Sequence, residues 1–184
     1  MKLIKILTLI ALVIVILVLV FCYYKKSSDR KAIFGINYSV IKEIYSDDTE
    51  RDFHENGFSI TVDSISDNDV KYFSNPPKEF FTDYPTESFH STKYEIHTWK
   101  KTPINIKDTA DVDFALNLSI KDTDSYVFKN RAVVIQNLTI LSKKLNEPGN
   151  LYSFAFRNHP HKLYGIDLYL IDVGQRKIYI VNRQ

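Results

Sequence analysis

The sequence predicts an α+β domain carried behind one N-terminal transmembrane helix. Three observations lead there. Ile6–Tyr24 runs for a helix-sized stretch without charge, glycine or proline. Two internal segments and three C-terminal ones carry strand signals, the internal pair with alternating polarity. Between them, apolar residues recur at three- and four-residue steps, the mark of an amphipathic helix.

Ile6–Tyr24 is bracketed by Lys2 and Lys5 on one side and Lys25 and Lys26 on the other. A bilayer core of about 30 Å needs roughly 20 apolar residues at about 1.5 Å each. Val and Ile are weak helix formers in water, but lipid offers backbone groups no other partner, so helix wins. Tyr23 and Tyr24 fall where an aromatic belt would sit. The rival account is a cleaved signal peptide. Its cleavage site is missing, because Val20-Phe21-Cys22 is followed by Tyr-Tyr-Lys-Lys and contains no Ala-x-Ala pattern. Phe21 before Cys22 also argues against a lipoprotein. Residues 1–24 are therefore read as an uncleaved anchor in contact with the lipid bilayer. Residues 25–31 are a basic polar spacer, and residues 32–184 one globular domain.

The direction of the anchor is set by weaker signals. Positive charge tends to stay in the cytoplasm, and both flanks are basic. A short basic tail before an apolar run is also how an export signal begins. On that ground the N-terminus is placed inside and the domain outside the cytoplasm, at an inner or plasma membrane.

About 150 residues suit one domain. Ten of the chain's twelve Tyr and eleven of its twelve Phe fall in it, ample material for a core. The single cysteine, Cys22, lies in the anchor, so the domain has neither a disulfide nor a thiol for catalysis. The chain's net charge of +2 is misleading. Its first 31 residues hold six basic side chains and one acidic, leaving 18 and 21 and a net charge of about −3 for the domain. A mildly acidic domain gives no reason to expect nucleic-acid binding.

Within the domain, Ala32–Ser46 is read as helix, because Ile36, Val40 and Ile44 share a helical face; its β-branched content argues for strand. Gly57–Ile65 alternates and is a strand. Ser66 or Asp67 caps a short helix ending before Asn75-Pro76-Pro77, and Lys78–Asp83 forms another before Tyr84-Pro85. Thr92–Lys100 alternates again. Asp108–Ser119 starts at an aspartate and reads as helix, with Ala110, Phe114 and Leu118 on one side. Asp124–Asn146 is the strongest soluble helix, with a stripe of Phe128, Ala132, Ile135, Leu138, Leu141 and Leu145. Leu151–Arg157, Tyr164–Asp172 and Lys177–Asn182 follow as strands on short links, an antiparallel meander. A sheet of about five strands with the long helix across its apolar face is expected.

Candidate chemistry is sparse. His159 and His161 flank Pro160 and could share a metal, but a zinc site needs further ligands from distant segments; a solvated turn is the plainer account. The Asp-x-Asp pairs at 67/69, 111/113 and 122/124 sit near helix starts, where aspartate caps backbone amides. Asp47, Asp48, Glu50, Asp52 and Glu55 crowd one segment that would suit docking to a basic protein partner, though a solvated charged loop is the plainer account. No Gly-x-Ser-x-Gly elbow, phosphate loop or His-Glu-x-x-His motif occurs. No cofactor is implied. The expectation is a non-enzymatic anchored binding domain, of the immunity or envelope-assembly kind. The alternative is a metal-dependent or hydrolytic envelope enzyme built on His159 and His161.

Overall fold

The computed structural model describes residues 2–48, 57–86, 94–116, 128–159 and 162–183. The chain runs α1 (Lys2–Phe34), β1 (Val40–Asp48), β2 (Phe58–Ile65), α2 (Asp67–Ser74), α3 (Lys78–Asp83), β3 (Tyr94–Lys101), α4 (Thr109–Leu116), α5 (Arg131–Asn146), β4 (Leu151–His159), β5 (Lys162–Asp172) and β6 (Lys177–Arg183). The α+β class stands.

Helix α1 has 33 residues and so extends about 50 Å. Its part from Leu7 to Phe34 is long and apolar enough to cross a membrane, with a mean hydropathy of 3.0 in its most apolar window. Every side chain from Leu7 to Tyr24 is exposed, so this stretch packs against nothing in the domain. The helix does not stop at the basic flank. Lys25–Lys31 continues it without a break, so the polar spacer is a rigid helical extension.

The six strands form one sheet in the order β1-β2-β6-β5-β4-β3, every neighbouring pair antiparallel. The terminal meander is as expected. β2 joins it through β6, pairing Phe58 with Arg183 at one end and Ser64 with Lys177 at the other. Alternation then divides the sheet's side chains between two cores. Phe58, Ile60, Val62, Phe154, Leu168 and Val181 face α4 and α5. Ile65, Trp99, Leu151, Tyr169, Ile171 and Ile178 face the end of α1 together with α2 and α3. Both faces of the sheet are thus covered. That is why β4 and β5 read as nearly continuous apolar runs, where a half-exposed sheet would alternate.

Several expectations change. Ala32–Ser46 is not one helix. α1 ends at Phe34, where Gly35 takes a φ of 73°, and Val40–Asp48 is an edge strand. The sheet therefore has six strands. The four-residue spacing of Ile36, Val40 and Ile44 is coincidental, since two irregularities interrupt β1 and erase its period of two. The long helix begins at Arg131, with Asn130 as its cap accepting from the Val133 amide; Asp122 and Asp124 lie outside the described residues. Its buried stripe is Val134, Leu138, Leu141 and Leu145, while Ala132 and Ile135 are exposed. In α4, Val112, Ala115 and Leu116 are buried and Ala110 is exposed. At α2 the cap is Ser66, as the sequence suggests: it accepts from the Asp69 amide, and its hydroxyl donates to the Asp69 carboxylate at 2.6 Å.

Candidate functional site at the junction of helix and domain

A helix end leaves its last four carbonyls without helical partners. At the end of α1 the domain supplies three of those partners. Gly35 N–H donates to Lys31 O (3.0 Å) and Thr86 N–H to Ala32 O (2.9 Å). The Trp99 indole Nε1–H donates to Ile33 O at 2.8 Å. Phe34 is fully buried, its ring 5.0 Å from Tyr38, 5.4 Å from Trp99 and 5.8 Å from Tyr169. Phe80 stacks on the other side of Trp99 at 5.1 Å. The apolar helix therefore ends inside the domain's core, and Trp99 is the side chain that both packs against its end and bonds to it.

Charge continues the joint outward. The Arg30 guanidinium lies 4.7 Å over the Tyr38 ring and donates to Tyr38 O at 3.4 Å. Tyr38 in turn donates its hydroxyl to Asp63 Oδ2 at 3.2 Å. Burial, helped by the Asp63 charge, pushes the Tyr38 hydroxyl well above its ordinary range. Burial also pushes the Asp63 carboxyl up, and the Tyr38 hydroxyl, Arg30 and Lys26 offset part of that rise. Ser39 N–H donates to Asp69 Oδ2 at 2.9 Å, which fastens the chain leaving the joint to α2. The arrangement is a clamp. It fixes the domain's orientation relative to the helix axis.

The acidic segment divides. Asp47 is buried, with 1% of its surface exposed. Its Oδ2 accepts from the Tyr45 hydroxyl at 2.6 Å and from Asn130 N–H at 3.3 Å; its Oδ1 accepts from Lys129 N–H at 3.3 Å. This carboxylate ties β1 to the entry of α5. Asp48 is exposed. Glu50, Asp52 and Glu55 lie outside the described residues. Asp47→Ala is expected to lower stability by about 2–3 kcal/mol, because hydrogen bonds to a charged acceptor are lost and two amides are left under-satisfied. Asp48→Ala should stay within about 0.5 kcal/mol. Urea unfolding of the full chain in detergent micelles measures both, and equal effects would contradict this division.

His159 ends β4, but its side chain and all of His161 lie outside the described residues. Among the described residues no group of three His, Cys, Asp or Glu side chains is placed to hold a metal. His97 stacks on Phe154 at 4.2 Å and stands 3.4 Å from Glu95 Oε1. Beside it, Asp108 Oδ2 takes Lys100 Nζ and the Tyr152 hydroxyl, each at 2.7 Å. Burial pushes the Asp108 carboxyl up, but those two bonds outweigh it and hold the group below the ordinary carboxylate range. Stability from such a group is present above about pH 4 and is lost as pH falls through the lowered value. Asp108→Asn should be less stable than the natural chain at about pH 6, with the gap closing toward about pH 3. Unfolding curves across that range decide it, and a constant gap would contradict the assignment.

A groove of ≈ 260 Å³ opens between α4 and α5, lined by Ile104, Ile106, Val112, Leu116 and Leu145 among others. Among the described residues, Asp113 is the one titratable side chain along it.

Comparison of the chain with protein-family models, with curated proteins and with solved structures finds no match. The fold and the junction define the class by themselves: an antiparallel α+β domain built onto the end of an apolar helix long enough to cross a membrane.

Proposed function

We propose that this chain is a single-pass membrane protein whose α1 stays in the bilayer and holds a non-enzymatic binding domain in a fixed orientation outside the cytoplasm. One observation carries the reading: the apolar helix runs unbroken into the core and is sealed there by Trp99, Thr86 and Phe34. A flexible tether would let a domain search for its substrate or partner. A rigid one sets the height and the direction in which a surface is presented, which suits holding a protein partner at the membrane. The acidic segment from Asp48 onward is the proposed contact, with Asp47 excluded because it is used internally.

The test uses intact cells. A photo-crosslinking residue at position 48 is compared with one at exposed Ile135 on α5. A discrete adduct at 48, absent at 135 and lost when Glu50, Asp52 and Glu55 are neutralised together, supports the reading. Adducts at neither position reject the acidic contact. Reporters fused after Gln184 test the side: an inactive phosphatase with an active cytoplasmic reporter reverses the orientation.

A further inference from the structure

Outside α1, the large apolar side chains exposed among the described residues are Ile41, Ile44, Ile106 and Ile135. Two of them lie on β1, three residues apart. The β1–β2 register explains their exposure. Val40 pairs with Ile65 and Lys42 with Ser64; Glu43 pairs with Asp63 and Tyr45 with Val62. The register is shifted between Val40 and Lys42 and again between Glu43 and Tyr45, and the residue skipped at each shift is an isoleucine. A bulge re-aims the side chain of its extra residue. Here each does so with an apolar one, leaving Ile41 67% and Ile44 43% exposed. Edge strands are usually protected by charge, and bare isoleucine on an open edge invites sticking.

The junction places them at a definite height. If the hydrocarbon boundary lies at Tyr24, Lys26 is about 3 Å and Arg30 about 9 Å beyond it along the helix axis. The headgroup layer is about 5–8 Å deep on each side of the core. Arg30 contacts Tyr38, and Tyr38 contacts Asp63. Asp63 pairs across the sheet with Glu43, which lies between the two isoleucines in sequence, and Lys26 is close enough to act on it. Lys26 thus stands within the headgroup layer and Arg30 at its outer edge, and the bulged stretch of β1, tied to both through Asp63, lies at that outer edge.

We propose that Ile41 and Ile44 form a second membrane contact, seated against the headgroup layer of the leaflet that α1 leaves. The inference rests on reading α1 as a membrane span. It makes the anchorage two-point: the helix fixes depth, and the bulged strand fixes rotation about the helix axis. Lys42, exposed between the two isoleucines in sequence, suits an anionic lipid surface.

Spin labelling tests it in the full chain. Cys22, the sole cysteine, is replaced in a Cys22→Ser background. Single cysteines are then introduced by Leu19→Cys, Ile41→Cys, Ile44→Cys and Ile135→Cys, all at exposed positions. The labelled chains are placed in vesicles of phosphatidylcholine and phosphatidylglycerol. Collision with oxygen, which prefers lipid, is compared with collision with a water-soluble nickel chelate. The expected result is a deep label at 19, an aqueous one at 135, and labels at 41 and 44 shifted toward oxygen with reduced access to the chelate. Labels at 41 and 44 that match 135 while 19 is deep overturn this proposal and leave the span standing. A label at 19 as aqueous as that at 135 overturns the span reading itself. Dipolar broadening at 41 that disappears on dilution with unlabelled chain assigns the edge to a second copy and overturns the lipid contact.

Discussion

Trp99→Ala is expected to destabilise the domain by about 3–5 kcal/mol, the range for removing a large aromatic side chain from a packed core. Trp99 is 2% exposed and stands between Phe34 and Phe80. Its loss empties the space against which α1 ends. Trp99→Phe separates the two roles of the side chain. It keeps most of the ring packing and removes the bond to Ile33 O, leaving a buried carbonyl without its donor at a cost of about 1–3 kcal/mol. The consequence specific to the junction is local. Amide exchange at Gly35 and Thr86, whose N–H groups bond to the same helix end, should speed up more than exchange in the β4–β5–β6 meander. Because Trp99 is the only tryptophan, unfolding is followed by circular dichroism in detergent micelles. If Trp99→Phe accelerates exchange evenly across the domain, or not at all at Gly35 and Thr86, the indole bond is not what seals the joint.

Lys144→Met should be the other costly change. Asp172 is fully buried, and the Lys144 ammonium lies 3.3 Å from its Oδ2. Among the described residues no hydroxyl or amide donates to that oxygen. Asp172 Oδ1 accepts from Gln175 N–H and shapes the β5–β6 turn. Removing one partner of a buried pair typically costs about 3–5 kcal/mol, because the other charge is left uncompensated. Lys144 keeps 18% of its side-chain surface in water and also reaches Glu147 at 3.2 Å, so the cost falls at or just below the low end of that range, about 2–4 kcal/mol. Adding Asp172→Asn to Lys144→Met should restore part of the loss, since the stranded charge goes with it and Asn can still accept from Gln175. Purely additive losses in this cycle would show that the pair is not coupled.

These two sites were unequally legible in the sequence. Trp99 reads as a core residue from its type alone, since the alternation of Thr92–Lys100 groups it with Lys93, Glu95 and His97, and it is one. Its bond to the helix end links positions 66 residues apart, and no local spacing announces that. Lys143 and Lys144 read as favourable charges at the negative end of the long helix. The partner that makes Lys144 matter sits on a different layer of the fold. Asp47 shows the same limit. As part of DDTERDFHEN it looks like a solvated or docking charge, whereas the fold turns it inward onto the entry of α5. Its neighbour Asp48 points out. Alternation along a strand separates the two, and the sequence hides it because Val40–Ser46 reads as helix and Asp47 and Asp48 as the charged segment after it.

The sequence by itself determined the features whose causes are local. The uncharged run of Ile6–Tyr24 specifies a helix suited to lipid. Ser66 and the prolines at 76 and 77 bound α2. The Val173–Arg176 corner forces a tight return between two strands, and the stripe of Leu138, Leu141 and Leu145 sets the buried face of α5. Each of these follows from steric or hydrogen-bonding preferences within a few residues. Tertiary structure decided the rest. It placed β2 against β6, more than 100 residues away, made an edge strand of a segment with no clean period, and divided the apolar runs of β4 and β5 between two cores. It also decided that the apolar helix would end inside the domain. A helix end can be recognised from Gly35, but what satisfies its carbonyls depends on which distant residues the sheet brings to that point. In this fold they are Thr86 and Trp99.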